Sequence, residues 1–238
     1  MVGNQLLAAS EEAGADVVFT LFGLQVTSAV TTMWAIMALL IAVAGFAAGR
    51  LKRVPTSRLQ ALVEVAVEGG MRLFSNVLGP KRARMYFPLL GTFFVFILLC
   101  NYSGLIPGAG HVHGFAQPTS RWGVTAGLAA VTFVSTQYFG IRARGLGYFK
   151  HFVQPYIVAP IMLPLSLLEE VVRPFALSLR LFANMLGGEM ALMALLAAVP
   201  FLMPITTLAL EVIFGFIQAF IFTLLSAVYF STATAEHH

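Results

Sequence analysis

The chain has 238 residues, of which 59% are hydrophobic and only 10% are charged, and its formal net charge is +4. Soluble domains carry about 25% charged residues, so this composition excludes an ordinary soluble protein and predicts a membrane protein with about five spans and no separate soluble domain. A single cysteine, Cys100, lies in an apolar run and excludes an internal disulfide and a cysteine-based metal site. The basic residues lie between apolar runs, which indicates membrane topology and argues against nucleic-acid binding.

The N-terminal tail, residues 1–28, contains three acidic residues and no lysine or arginine. It therefore lacks the basic segment of a signal peptide, and we expect it on the outer, periplasmic side. Residues 29–49 are predominantly apolar, contain no charged residue and form the first predicted span. Arg50, Lys52 and Arg53 follow directly, which places that end of the span on the cytoplasmic side.

Residues 56–77 have the pattern of an amphipathic surface helix. Apolar residues such as Leu62, Phe74 and Val77 recur with helical spacing, while Glu64, Glu68 and Arg72 follow a separate stripe. Basic clusters flank the segment on both sides, so both of its ends belong to one membrane face. The simplest reading of the polar stripe is a solvated face.

The second and third predicted spans are residues 85–106 and 122–141, joined by an outer loop that contains His111 and His113. Eleven of the fourteen Lys and Arg residues fall in the segments predicted to be cytoplasmic, and only Arg121 falls in the outer loop. This asymmetry predicts an outer N-terminus and a cytoplasmic C-terminus.

The last part of the chain is predicted to be a long helical hairpin. Residues 155–198 and 202–231 are almost continuously apolar and are separated by a turn at Pro200. Each arm would be roughly 50 Å long against about 30 Å of hydrocarbon, so we expect a strongly tilted pair. The predicted fold class is therefore an all-α integral membrane protein with five transmembrane helices and one surface helix in a single membrane domain, residues 29–238.

The first arm contains charges at membrane depth. A charged side chain near the bilayer centre costs about 2.5 to 3.5 kcal/mol on insertion scales, so it is usually kept for a function. On a helix, Glu169, Arg173, Arg180 and Asn184 fall within about 60° of one another. Glu189 projects from the opposite face, toward the second arm.

The second arm has Glu211, Gly215 and Gln218 on one face. If the arms are antiparallel about residue 200, Gln218 is level with Arg180 and Glu211 is level with Glu189. Two close carboxylates in a low dielectric cannot both ionise cheaply, so one of them is expected to exchange protons. Arginine keeps its proton in proteins and acts as a fixed positive charge.

Glu169 and Glu170 lie about 15 Å from Arg180 in the other direction along the helix. Acids on both sides of a fixed cation suggest two half-paths that do not meet and a partner that carries the ion between them. A static salt bridge remains open for the charged residues, and interhelical hydrogen bonding remains open for Asn184 and Gln218. His111 and His113 can equally be solvated loop residues.

The segments SLRLFANMLGGEM and FGFIQAFIF, with FVFILLCNYSGLIPG, QPTSRWGVT and LPLSLLEEVVRPF, closely resemble subunit a of bacterial F-type rotary ATP synthases. The likeness runs from about residue 30 to the C-terminus. It implies an ATP synthesis and hydrogen-ion transport function in the cell inner membrane, in the CF(0) part of the rotary motor. It also implies a non-catalytic subunit without a cofactor or a metal, whose partners are the c-ring, b-type peripheral stalk subunits, the complete F1Fo complex and membrane lipid.

By this resemblance, Arg180 matches the arginine that separates the half-channels, and Asn184 and Gln218 match its polar neighbours. Glu189 and Glu211 match the entrance relay, and Glu169 and Glu170, next to Arg173, resemble the acids near the exit. The PT motif in this family often continues with an acidic residue, whereas in this chain Ser120 is followed by Arg121 and Trp122. We therefore consider His111 and His113 as candidate entrance residues.

Two alternatives belong to other classes. A stand-alone proton-coupled transporter usually has internal repeats with broken helices in matching positions, and we find none in the sequence. The other alternative is a structural membrane scaffold with incidental ion pairs.

Overall fold

The computed structural model describes residues 17–21, 24–49, 58–106, 115–145, 159–198 and 203–234. Its elements in chain order are β1 Val17–Leu21, β2 Leu24–Thr27, α1 Ser28–Ala48, α2 Arg58–Leu78, α3 Pro80–Ser103, a 3₁₀ turn Pro118–Ser120, α4 Trp122–Arg144, α5 Ala159–Ala198 and α6 Met203–Thr234. The described residues are thus mostly in six helices, which confirms the predicted fold class.

Four of these helices, α1, α3, α4 and α6, are long and apolar enough to cross a membrane. Helix α5 has 40 residues and contains the charged segment described above. At 1.5 Å per residue it is about 60 Å long, twice the thickness of the hydrocarbon layer. The crossing of α5 and the tilt of the hairpin remain predictions.

The N-terminal part contains a small antiparallel β-ribbon that sequence reasoning missed. Val17 pairs with Thr27 and Leu21 pairs with Leu24, with an irregular register between Val17 and Phe19. Both strands are rich in β-branched and aromatic residues, which favour extended backbone. The signal was therefore present, but the acidic residues upstream led us to treat the whole segment as a tail.

Helices α2 and α3 are separated by one residue, Gly79, with φ 79°. This is a backbone conformation that glycine adopts readily. Pro80 occupies the first turn of α3, where proline loses no hydrogen bond because that N–H has no helical partner. The helix therefore begins five residues before the predicted start of the second span at residue 85, and the basic residues Lys81, Arg82 and Arg84 belong to it.

Helix α2 is only partly packed on the rest of the chain. Phe74 and Leu78, near its C-terminal end, are buried in the main core. Val63, Val65 and Val67, nearer its N-terminal end, are exposed. Of the predicted apolar stripe, the described part of the chain thus buries Phe74 and leaves Val63 exposed.

The core lies mainly between α3 and α6. A stripe of α3 residues with helical spacing is buried there, including Tyr86, Leu90, Phe93 and Ile97. Tyr86 stacks on Phe230 of α6 at a ring-centroid distance of 5.5 Å. This packing fixes the face of α6 that points inward, and the polar residues of α6 described below lie on the same face.

Helix α1 has the fewest contacts with the rest of the molecule. The hydroxyl of Thr32 accepts a hydrogen bond from the Ala116 N–H at 3.2 Å, near the 3₁₀ turn. Farther along α1, Leu39, Ile41 and Val43 are exposed. Exposed apolar patches of this extent are expected to contact lipid or another membrane subunit.

Candidate functional site

Glu211 lies beside the Gly188–Glu189 segment near the turn end of the α5–α6 hairpin. Glu211 is buried, with 7% exposure, and its Oε1 lies 3.9 Å from the position of a Cβ atom built on Gly188. The charge of Glu189 is close enough to act on Glu211. The structure therefore brings residues 188–189 and 211 to one level, in agreement with the register predicted from the sequence.

Arg180 and Asn184 lie one turn apart on the exposed face of α5, and Gly187 continues this face. The structure shows no ion pair between Arg180 and a carboxylate among the described residues. Its charge is close enough to influence Tyr229 of α6. The Arg180 guanidinium therefore belongs to a face of α5 that the described part of the chain leaves exposed.

Gln218 is placed differently from Arg180. It is 4% exposed and lies on the inward face of α6 with Glu211 and Gly215. No hydrogen bond joins it to Arg180 in the described part of the chain. The structure places Arg180 on an outer face and Gln218 inside the helix packing, although the hairpin register puts them at a similar level.

A second charged cluster lies at the open end of the hairpin, away from the turn. The Arg173 guanidinium donates to Glu169, and it lies 3.8 Å from a carboxylate oxygen of Glu170. The Gln137 Nε2 of α4 donates to Glu170 at 2.6 Å. The Arg173 guanidinium also lies over the Tyr229 ring, 5.9 Å from its centroid. This cluster joins α4, α5 and α6.

The structure also shows a buried polar cluster that sequence reasoning missed. The Asn101 Nδ2 of α3 donates to the Gly215 carbonyl at 2.9 Å. The Gln117 Nε2 donates to the backbone carbonyl of Asn101 at 3.0 Å, and it lies 3.4 Å from the Met185 sulfur. Asn101 and Gln117 are 1% and 3% exposed. The residues of this cluster come from α3, α5, α6 and the segment before the 3₁₀ turn. In the sequence, the feature that indicates the cluster is an amide side chain, Asn101, at the end of an apolar span.

Four buried side-chain atoms around this region have no hydrogen-bond partner among the described residues. They are Asn101 Oδ1, Thr119 Oγ1, Glu211 Oε2 and Gln218 Nε2. Buried polar atoms in native proteins are normally bonded to protein or to ordered water. Such atoms on α3, α6 and the 3₁₀ turn are suited to binding water.

The remaining predicted site residues add little. His111 and His113 lie outside the described residues. Arg121 is half-buried at the start of α4. In the described ranges, no three His, Cys, Asp or Glu residues are grouped closely enough to hold a metal ion.

The site therefore has three parts with different chemistry. Glu189, Glu211 and buried amides form one part near the turn, and Glu169, Glu170 and Arg173 form another at the open end. Arg180 lies between them along α5. Carboxylates exchange protons, whereas the guanidinium of Arg180 stays charged.

Known proteins are similar to this chain along nearly its whole length. The family model described as ATP synthase A chain matches residues 30–231. ATP synthase subunit a 1 of Syntrophotalea carbinolica is 43% identical over 210 residues, which cover 88% of this chain and 86% of that protein. ATP synthase subunit a of Moorella thermoacetica is 40% identical over 221 residues, covering 92% and 96% of the two chains. ATP synthase subunit a of Geobacter sulfurreducens is 37% identical over 228 residues, covering 95% and 91%.

Proposed function

Because this chain belongs to the ATP synthase A chain family, whose members are non-catalytic Fo subunits, we propose that it provides two offset half-channels for ions. These half-channels load and unload the carboxylates of a rotating c-ring and so couple ion flow to ATP synthesis. The protein is a multi-pass membrane subunit. The partners in this proposal are the c-ring, b-type stalk subunits and lipid.

The observation that carries the proposal is the position of Arg180, which is exposed on an apolar helix face and forms no ion pair with the residues that the structure describes. A cation in this setting is costly unless an opposite charge approaches it. The carboxylates of α5 do not fulfil this role, since Arg173 holds Glu169 and Glu170 in its own cluster and Glu189 lies beside Glu211 of α6. A carboxylate from another subunit is the fitting partner, and the c-ring supplies one.

The entrance path is proposed to run through Glu211 and Glu189 on the outer side. The support is their proximity, the burial of Glu211 and the polar atoms around it that lack protein partners. The ion then passes to a c-ring carboxylate near Asn184 on the open face of α5.

The exit path is proposed to run past Glu169 and Glu170 on the cytoplasmic side. Glu169 has 61% of its side chain exposed, whereas Glu170 has 17% exposed and is held by Gln137 and Arg173. One carboxylate is therefore open to solvent and the other is fixed near the helix packing. This pair is suited to accepting a proton and passing it to water.

The fixed charge of Arg180 prevents a direct passage between the two half-channels, because a proton would have to cross next to a permanent cation. The ion therefore travels on the rotor for almost a full turn. Each charge that crosses the membrane field gains about 2.3 kcal/mol per 100 mV, so several charges are needed for each ATP. A transporter that works alone would need a carboxylate that moves past Arg180, and the described chain offers no such group.

The decisive experiment measures ATP-driven proton pumping in inside-out vesicles that contain the whole complex. Arg180→Ala is expected to lower the pumping rate more than about tenfold, which corresponds to about 1.4 kcal/mol. Arg72→Ala is the control, because Arg72 has 78% of its side chain exposed in a surface pair on α2. Pumping at the unmodified rate by Arg180→Ala, with the complex assembled, would contradict the proposal.

A further inference from the structure

Asn101 joins two helices at the centre of the buried polar cluster. Its Nδ2 reaches across from α3 to the Gly215 carbonyl of α6 at 2.9 Å. A carbonyl oxygen has two lone pairs, so Gly215 can accept this bond in addition to its bond within the helix. The absence of a side chain at Gly215 permits the approach, since a Cβ atom there would lie 3.3 Å from both Asn101 Cβ and the Tyr102 ring.

The contact lies between Glu211, which the proposed entrance path uses, and Gln218, whose buried Nε2 has no partner among the described residues. Gly215 follows Glu211 by one turn and precedes Gln218 by almost one turn on the same inward face. The neighbouring Tyr102 hydroxyl donates to the Val212 carbonyl at 3.2 Å. Two adjacent α3 side chains thus bind the backbone of α6 directly after Glu211.

Gln117 supports this arrangement from a third segment. Its Nε2 donates to the backbone carbonyl of Asn101. Its side chain also fills the space beside Gly104, where an added Cβ atom would lie 2.7 Å from Gln117 Oε1. Its contact with Met185 extends the support to α5, one turn before Glu189. Asn101 is therefore fixed from several directions.

A purely structural amide would have both of its polar atoms satisfied. The Asn101 Nδ2 is satisfied, but the buried Oδ1 has no partner among the described residues, and neither do Glu211 Oε2 and Gln218 Nε2. An acceptor, a carboxylate oxygen and a donor are thus available to water molecules in the same region.

We propose that Asn101 is a positioning residue for ion entry. The Asn101 Nδ2 holds α6 at Gly215, and the Asn101 Oδ1 binds water, so that Glu211 and Gln218 face this water. Gln117 supports Asn101. This inference rests on the proposed function and adds to it a residue on α3. Among the described residues, the titratable or charged groups on the surrounding elements include Cys100 and Tyr102 on α3, Glu211 on α6, Glu189 and Arg180 on α5, and Arg121 before α4.

The test uses the assembled complex in vesicles and measures passive proton conduction through Fo, divided by the amount of complex, across a range of pH. Asn101→Leu removes both polar atoms and is expected to lower conduction about tenfold at every pH. Asn101→Asp keeps the shape, but it donates to the Gly215 carbonyl only when it is protonated. As the pH is lowered from roughly 8 to roughly 5, this carboxyl group becomes protonated. The conduction of Asn101→Asp, divided by that of the unmodified protein at the same pH, should therefore rise.

Unchanged conduction in Asn101→Leu would overturn the inference. So would equal losses in the Leu and Asp variants at all pH values, because that result means that only packing matters. If either variant fails to assemble, Gly215→Ala decides, with Gly127→Ala as control because a Cβ atom at Gly127 would meet nothing within 4 Å. Reduced conduction in Gly215→Ala alone supports the inference, and equal conduction in the two variants overturns it.

The same vesicles distinguish this inference from the proposed function. If the half-channels exist as proposed, Arg180→Ala must lose ATP-driven pumping and Glu211→Gln must lose both pumping and passive conduction. When they do so and the Asn101 variants conduct normally, only the role of Asn101 is wrong. When Arg180→Ala and Glu211→Gln both function normally, the proposed function itself is wrong.

Discussion

Two arginines on α5 have opposite environments, although both lie in an apolar helix. Arg173 contacts Glu169, Glu170 and the Tyr229 ring, whereas Arg180 makes no ion pair with any described residue. Paired charges stabilise helix packing and leave little attraction for an outside group. An unpaired cation is attracted by any carboxylate that approaches, so Arg180 is the residue suited to a moving partner and Arg173 is suited to holding the exit acids.

The two entrance carboxylates are expected to differ in importance. Glu211 is 7% exposed, whereas Glu189 is half-buried, so water can replace Glu189 more easily. Glutamine has the same shape as glutamate but does not exchange protons. We expect Glu211→Gln to reduce ATP-driven pumping at least about fivefold more than Glu189→Gln, a difference of about 1 kcal/mol.

Glu68→Gln is the control for this comparison, because Glu68 is exposed on α2 and pairs only with Arg72 in the described structure. It should pump at the unmodified rate. Equal losses in the Glu189 and Glu211 variants would show that burial does not decide which carboxylate is needed.

At the scale of elements, the α5–α6 hairpin sets the distance between all three parts of the site. Its register follows from two separate contacts, Gly188 with Glu211 near the turn and Arg173 with Tyr229 at the open end. A shift of one turn would move the carboxylates apart by about 5.4 Å. The helices α3 and α4 hold this register through Asn101 and Gln137, respectively.

Disulfide formation tests the register. In a Cys100→Ala background, which removes the single cysteine, Glu211→Cys should crosslink with Gly188→Cys or Glu189→Cys, because a disulfide needs Cβ atoms about 3.5 to 4.5 Å apart. The combination of Asn184→Cys with Glu211→Cys is one turn out of register and should react much more slowly. Electrophoresis after mild oxidation measures the yield, and faster crosslinking of the Asn184 pair would contradict the register.

For the whole molecule, the orientation in the membrane decides which acids form the entrance. The distribution of basic residues predicts that α2 lies on the cytoplasmic side and that the loop after α3 is outside. The broad exposed apolar surfaces of α1 and α5 remain available to lipid and to other subunits.

Labelling with a membrane-impermeant maleimide tests the orientation in the same Cys100→Ala background. Ile106→Cys, at a position with 53% exposure after α3, should react in intact cells after removal of the outer membrane. Glu64→Cys, at an exposed position of α2, should react only in inside-out vesicles. The reverse pattern would exchange the entrance and exit acids in the proposed mechanism.

The sequence by itself determined the six helices, the membrane class and the charged positions, because apolar run length, helical periodicity and basic flanks are local properties. It also predicted that Glu189 and Glu211 are level, since proline punctuation fixes the centre of the hairpin. Only the tertiary structure decided that Arg173 forms ion pairs whereas Arg180 forms none within the described ranges, and that Asn101 reaches Gly215. These contacts join segments up to 114 positions apart, and they depend on the rotation and packing of whole helices, which no local pattern specifies.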